Sequence, residues 1–439
     1  MTTPGSGKKV VLVTRGTFGD AIPFVGIGKQ LLALGQRPVL VSAREYEALA
    51  REHGLDWAPM APHFDQYVKD LGMDKAAILK KAFKPLIGGK FVAEKLVKPY
   101  LSQAFDDLGR ALEGASLVVS GPTVSWARMI AYEKKVPWRS VMLQSLPLGA
   151  MSAQDPAFMP FVPVHKMRDW LGEERYRKVF GWLRNSGRSF LAPLDNKARQ
   201  VGCYDPAINP IFEGTFSPRG TIVMIPQQMM RNPLPTDLPG PVKYAGFSFF
   251  DGGTKPLSPE LEAFLAQGDP PVVFSLGSGA VGNAVDFYQH WSSLCSKLGL
   301  RALFLSADHD LERNFPPTQM LVPWVSVAAL FPRAKAIVSA GGIGMCGHVV
   351  RAGVPQIIVP FNFDQPDNAA RLARLGVCLP VQPSKARGPL MEEALQQLVG
   401  DQRMHERARQ LKGEINQVCG TVTAARWLDA DLRGVPEGD

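Results

Sequence analysis

The sequence predicts an α/β chain built from two doubly wound halves of similar size. Three observations predict it. Short β-branched runs feed glycine-rich turns that open into helix-period segments. That pattern occurs at the start of the chain and begins again near residue 270. Between the two lies a Pro- and Gly-rich stretch with the composition of a linker.

In order, KVVLVT (9–14) reads as a buried parallel strand, and RGTFGDAIP follows as its turn. FVGIGKQLLALG carries apolar residues at helical spacing and ends at Gly35, a suitable residue just past a helix end. RPVLVSA, SLVVSGP (116–122) and WRSVMLQS (138–145) read as further strands. The run 234–259 reads as the linker. The second series opens with PPVVFSLGSGA, then the helix DFYQHWSSLCSKLG, the strand RALFLSA and KAIVSAGG entering a loop. CGHVVRAG is a helix stopped by Gly353, PQIIVPF a strand and NAARLARLG a helix. The segment 401–433 reads as helical and amphipathic. Two such halves predict a ligand at the strand C-termini, in a cleft between them.

Composition narrows the classes. The chain has 439 residues, 46% of them apolar, and a net charge of +9. A basic balance suits anionic partners such as nucleotides, phosphates or anionic membrane surfaces. No basic stripe interleaved with exposed aromatics stands out, so nucleic acid is not expected as a partner. The cysteines at 203, 295, 346, 378 and 419 are scattered and form no metal-ligand spacing. The expected metal set is therefore none, the expected compartment reducing and cytoplasmic. No run reaches the length of a membrane span or of a signal-peptide apolar region. The turn at 16–21, Gly-Thr-Phe-Gly-Asp-Ala, fits neither a dinucleotide fingerprint nor a P-loop.

The chemistry gathers in SAGGIGMCGHVVRAGVPQIIVPFNFDQPDN (339–368). Gly341, Gly342 and Gly344 let backbone approach a ligand, and the helix start behind them is an anion site. A tight strand-to-helix turn is the plain alternative. Asp364 and Gln365, eleven residues after Gly353, can accept and donate hydrogen bonds to several hydroxyls, which suits a sugar. Asp20, after the first strand, is either a carboxylate base or a cap for a helix entered at Pro23.

This stretch resembles the nucleotide-sugar signature of GT-B-fold glycosyltransferases of the UDP-glycosyltransferase superfamily. The bacterial branch is similar: rhamnosyl-, sterol glucosyl- and antibiotic glycosyltransferases. That signature reads His-His-Gly-Gly-x-Gly-Thr, then Ala-Gly-Val-Pro-Gln, a strand and Asp-Gln. Gly341–Gly344, Ala352–Gln356 and Asp364-Gln365 match it. The first turn, Gly16-Thr17-Phe18-Gly19-Asp20-Ala21-Ile22-Pro23-Phe24, matches Gly-Thr-x-Gly-Asp-x-x-Pro-Phe, and AGFSFFDGG, LSPELEAFL and PPVVFSLGS look similar too. The match is weakest between about residues 60 and 235.

The resemblance implies a GT-B fold, two Rossmann-like domains facing across a cleft. Residues 1–240 form the acceptor-binding domain, 241–260 the linker and 261–417 the nucleotide-sugar domain. Residues 418–439 form a helical tail packing back on the first domain. It implies an inverting, metal-independent transfer from a nucleoside diphosphate sugar, which is a co-substrate, with no cofactor. Asp20 falls on the catalytic base, and Gly16, Thr17, Phe18 and Gly19 on the acceptor-side loop. Ser278, Gly341, Gly342 and Gly344 fall on the diphosphate site, Trp324 on the base-binding turn, and Asp364 and Gln365 on the sugar. Where many relatives place a second acid after the 116–120 strand, this chain has Ser120.

The signature also departs from its pattern. Ser339 and Ala340 stand for the two histidines and Met345 for the threonine. Losing a hydrogen bond to a charged group costs about 1.5–3 kcal/mol. His348, one turn into the helix, and Arg15 are the candidates to replace them. Three readings therefore stand side by side. One is an active glycosyltransferase; another is a different reaction on the same fold. The third is a non-catalytic relative acting as a binding partner.

For the acceptor, MSAQDPAFMPFVPVHKMRDW (151–170) offers adaptable apolar surface for a lipophilic small molecule, or simply core under a loop. Residues 69–98 carry eight lysines against three acids. They form either a solvated face or a peripheral contact to the inner face of a membrane.

Overall fold

The computed structural model describes residues 7–82, 84, 87–159, 164–186, 188–253, 256–277, 284–306, 315–323, 325–415 and 419–435. The chain divides into two compact units. The first comprises Met1–Met73, Lys90–Phe250 and Val418–Asp439; the second comprises Asp74–Gly89 and Asp251–Gln417.

The first unit holds a seven-stranded parallel sheet. Its strands are β1 (Lys9–Val13), β2 (Arg37–Ser42), β3 (Asp56–Pro59), β4 (Leu117–Ser120), β5 (Trp138–Met142), β6 (Thr221–Val223) and β7 (Val242–Tyr244). They lie in the order β3-β2-β1-β4-β5-β6-β7. The order reverses between β1 and β4, where Val10–Val13 pair with Leu117–Ser120. Open parallel sheets bind ligands at such a switch point, beyond the strand C-termini.

The second unit repeats the design with six parallel strands. These are β8 (Val272–Ser275), β9 (Ala302–Leu305), β10 (Gln319–Val322), β11 (Ala336–Ser339), β12 (Gln356–Ile358) and β13 (Cys378–Pro380). Their order is β10-β9-β8-β11-β12-β13, so the switch point falls between β8 and β11. Strand alternation explains why both faces are buried. Val272, Phe274, Ala336 and Val338 enter one core layer with Trp291 and Phe304. Val273 and Ile337 enter the other with Leu261, Leu303 and Val349. Phe274 stacks on Phe304 with ring centroids 4.9 Å apart.

Several expectations change in detail. The helix after β1 runs Phe18–Ala33, so it starts at Thr17 and carries Pro23 inside it. Val242–Tyr244, within the stretch read as linker, forms the edge strand β7 beside β6. Flanking Pro and Gly hide so short a strand from pattern analysis. The amphipathic C-terminal segment is two helices, Gln402–Ile415 in the second unit and Gly420–Arg433 in the first.

Helix Gly420–Arg433 lies against helix Phe18–Ala33. Gly26 makes that approach possible: a Cβ there would stand 2.9 Å from both Phe250 Cβ and Thr421 Cγ2. Buried Gln36 donates to Asp429 at 2.7 Å on the same side. Gly26→Val is therefore expected to lower stability by about 1–3 kcal/mol, the usual cost of overpacking. Urea unfolding of the full chain checks this, against Gly72→Ala, where a side chain meets open space but a φ of 60° adds only local strain.

Candidate functional site

Each unit carries one candidate site at its own switch point. In the first, the chain leaves β1 at Thr14 and must reverse into a helix within three residues. Gly16 makes the reversal at φ 134°, and a Cβ on it would come within 2.3 Å of Asp20 Oδ2. Asp20 is the third residue of the helix and closes a capping box with Thr17. The Thr17 N–H donates to Asp20 Oδ2 at 2.7 Å and the Thr17 hydroxyl at 3.0 Å. Thr14 Oγ1 donates to the Asp20 carbonyl at 3.0 Å. The Asp20 carboxylate is half-buried, and its Oδ1 takes no hydrogen bond among the described residues. Burial pushes its pKa above the ordinary aspartate value, and the two Thr17 hydrogen bonds partly oppose that.

Neighbours hold the loop still. Tyr46 OH donates to the Gly16 carbonyl at 3.0 Å. Burial and then the Asp20 charge raise the Tyr46 pKa, so the phenol stays a donor. Thr123, in the turn after β4, donates to the Arg15 carbonyl at 2.6 Å, which ties the two switch-point loops together. Gly19 and Phe18 face outward, Phe18 being 45% exposed. Arg15 does not stand free to replace a phosphate ligand. Its guanidinium donates to Tyr67 OH at 2.6 Å and to the Leu96 carbonyl, and it lies over the Trp126 ring. Ser120 is buried and accepts from the Trp138 indole N–H at 2.8 Å, so this strand end offers no second acid.

In the second unit β11 ends at Ser339, and Gly341 turns the chain at φ 83°. A Cβ on Gly341 would stand 2.4 Å from Ile358 Cγ2 of the neighbouring strand. Gly342 caps the helix Ile343–Ala352, and a Cβ on Gly342 or Gly344 would meet nothing within 4 Å. Among the described residues the helix N-terminus therefore opens onto clear space, with its first N–H groups unspent. Ser339 is fully buried and accepts from the Gly341 N–H at 3.2 Å. Ala340 is buried, and Met345 packs against the Leu261–Val349 cluster. None of the three offers a side-chain phosphate ligand.

Asp364 caps the helix Gln365–Arg374, which begins before the stretch that periodicity marks. Gln365 is buried, and its Oε1 accepts from the Phe361 N–H at 2.7 Å and the Asn362 N–H at 3.2 Å. Its amide N–H donors take no partner among the described residues. Gly341 and Asp364 are brought together by a residue that pattern analysis did not single out. Asn368 Nδ2 donates to Asp364 Oδ2 at 2.7 Å and to the Gly341 carbonyl at 3.0 Å. Its position four residues into a helix was the available signal, since i and i+4 share a face.

His348 is buried and lines a groove with Ala328, Ala352 and Lys412. Burial lowers its pKa to about 4, against a smaller upward pull from Asp251. It is neutral near pH 7 and adds no charge to replace the missing ligands. Ser278 and Trp324 lie outside the described residues. Segment 151–159 is largely internal: Ala153, Asp155 and Ala157 are buried, and Ser152 donates to Asp237 at 2.6 Å. The lysines of 69–98 are exposed. Among the described residues no helix is long and apolar enough to cross a membrane.

Comparison with known proteins bears on the family and the fold. Residues 303–421 match the C-terminal domain of erythromycin biosynthesis protein CIII-like proteins. The chain is 30% identical to O-mycaminosyltylonolide 6-deoxyallosyltransferase of Streptomyces fradiae, covering 96% of this chain and 97% of that protein. Among solved structures it resembles the kitacinnamycin glycosyltransferase at TM-score 0.70 and 18% identity, over 98% of this chain and 100% of that one. It also resembles the spinosyn rhamnosyltransferase complexed with thymidine diphosphate, at TM-score 0.66 and 17% identity, over 96% and 100%.

Two outcomes test this geometry. Because the folded pKa of His348 lies below its unfolded value, its contribution to stability is present above about pH 6.5 and lost as pH falls towards about 4. Wild type is expected to lose roughly 2–3 kcal/mol across that window through this group, and His348→Gln to lose correspondingly less, in urea titrations at fixed pH values. Gly16→Ala is expected to destabilise by about 1–3 kcal/mol through the backbone strain alone and to displace Asp20. The same titration, with activity measured alongside, reports both.

Proposed function

The chain belongs to the GT-B-fold glycosyltransferases of the UDP-glycosyltransferase superfamily, and we propose that it moves a sugar from a nucleoside diphosphate sugar to a hydroxyl of a lipophilic small molecule, with inversion and without a metal ion. The observation that carries this reading is the Asp20 carboxylate. It sits at a switch point, one oxygen committed to the helix cap and the other unengaged among the described residues. A purely structural cap needs only the first oxygen.

In this mechanism the second unit holds the donor. The N–H groups at the start of helix Ile343–Ala352 and its dipole face the diphosphate, and Gly342 and Gly344 leave room for it. Asp364 and the Gln365 amide hold the sugar hydroxyls. Asp20 removes the proton from the acceptor hydroxyl as its oxygen attacks the anomeric carbon. The bond from that carbon to the diphosphate oxygen breaks on the opposite face, and the electron pair leaves with the diphosphate. Charge developing there is met by the helix N-terminus, which is why no metal is assigned. The acceptor class follows the tylonolide and spinosyn substrates in the names of the relatives. The thymidine diphosphate of the spinosyn enzyme makes that nucleotide the first donor probe.

The raised pKa of Asp20 has a kinetic consequence. The base must be ionised, so the acid limb of kcat/KM is expected above the ordinary carboxylate range of about 4. Asp20→Asn is expected to lower kcat by at least about 10²-fold while donor affinity stays within about twofold. A thermal-shift screen with TDP, UDP, GDP and their sugars in EDTA identifies the donor first, since ligands that bind only the folded state raise Tm. Full activity in Asp20→Asn overturns the base assignment, and loss of activity in EDTA overturns metal independence.

A further inference from the structure

We propose that Asn368 is a positioning residue that sets donor specificity, by fixing the Asp364 carboxylate at a set distance from the Gly341 turn. This rests on the reading that the second unit binds a nucleotide sugar. The geometry points to it directly. Asn368 is wholly buried, and its amide nitrogen bridges Asp364 Oδ2 at 2.7 Å and the Gly341 carbonyl at 3.0 Å. Both partners are acceptors, so the amide orientation is settled: nitrogen faces them and Oδ1 faces away. Oδ1 then finds no hydrogen-bond partner among the described residues. A buried acceptor without a donor is costly, and an apolar side chain of similar volume would avoid that cost. The amide is worth keeping only if its two donor contacts matter.

The two contacts differ in kind. The Gly341 turn has other supports: its N–H donates to Ser339 Oγ, its φ suits only glycine, and its Cα face packs on Ile358. The Val359 N–H also donates to the Ser339 carbonyl at 2.8 Å. For Asp364 the Asn368 amide supplies a charge-assisted bond from one turn further along the same helix. Removing the amide therefore takes a charge-assisted bond from the sugar-facing carboxylate and leaves the phosphate-facing turn its own supports. Asn368 thus couples the spacing between diphosphate and sugar sites to a single side chain, and that spacing distinguishes a nucleotide sugar from the bare nucleoside diphosphate.

The test is calorimetric titration of the full chain with TDP and dTDP-glucose, and with UDP and UDP-glucose, for wild type, Asn368→Ala and Asn368→Asp. In wild type the sugar-bearing ligand is expected to bind tighter than the bare diphosphate. Asn368→Ala is expected to shrink that ratio about tenfold while affinity for the bare diphosphate stays within about threefold. Asn368→Asp places a carboxylate against Asp364 and the Gly341 carbonyl, and is expected to lose the ratio at pH 8. It should regain it near about pH 5, where a shared proton can restore the donor. The pH-dependent recovery separates positioning from simple loss of packing, and it stands even where Asn368→Ala folds poorly. Equal weakening of both ligands, or an unchanged ratio, overturns the proposal. Wild type that binds none of the four ligands overturns the donor-site reading itself, and this proposal with it.

Discussion

No side chain fits at Gly16 or at Gly341, and the two candidate sites depend on that. At a switch point a parallel strand ends and the chain must turn sharply into a helix whose N-terminus faces outward. Both units make the turn with a glycine in the left-handed half of conformational space, at φ 134° and 83°. In each case the volume a Cβ would need is filled by something useful. At Gly16 it is the Asp20 carboxylate, and at Gly341 it is Ile358 of the adjacent strand. The first packing holds a titratable group against backbone, and the second seats the glycine turn on the sheet. An alanine at either position carries both strain and collision, so turn and site form together or not at all.

The same economy explains why Asp20 is at once a cap and an acid. The capping box uses Oδ2 alone, and an N-terminal cap is worth about 1 kcal/mol. Burial raises the carboxyl pKa while the Thr17 donors pull it down. These opposing influences leave an ionisable group that is rigid, partly desolvated and more basic than a surface aspartate. Rigidity and basicity are what general-base chemistry asks of a carboxylate. In the proposed mechanism, structural and chemical roles thus share one residue rather than competing for it.

Much of this was legible in the sequence because local pattern governs it. The β-branched runs at 9–14, 272–275 and 336–339 and the glycine stops at 35 and 353 became strands and helix ends where period and turn chemistry placed them. Strands β6 and β7 escaped notice since each is three residues long and bounded by Pro and Gly. The burial of His348 depends on helix packing far along the chain, around Lys412, which no window around residue 348 contains. Asn368 was invisible for a related reason. Its amide reaches Gly341, 27 residues away, and only the sheet brings the two together.

The missing histidines and threonine then have a physical consequence for the proposed reaction. With Ser339, Ala340 and Met345 turned to structural duties, the proposed reaction leaves the diphosphate to backbone N–H groups and a helix dipole. Donor and departing nucleoside diphosphate share those contacts equally, so weakening them weakens the hold on product as much as on substrate. Contacts to the sugar are different, because only the donor makes them. In the proposed reaction, a site that surrenders phosphate ligands but keeps Asp364, Gln365 and the amide bonded to Asp364 moves its binding energy onto the part of the donor that reacts. Such a site releases product faster for a given donor affinity, and its selectivity among donors rests on sugar geometry more than on charge.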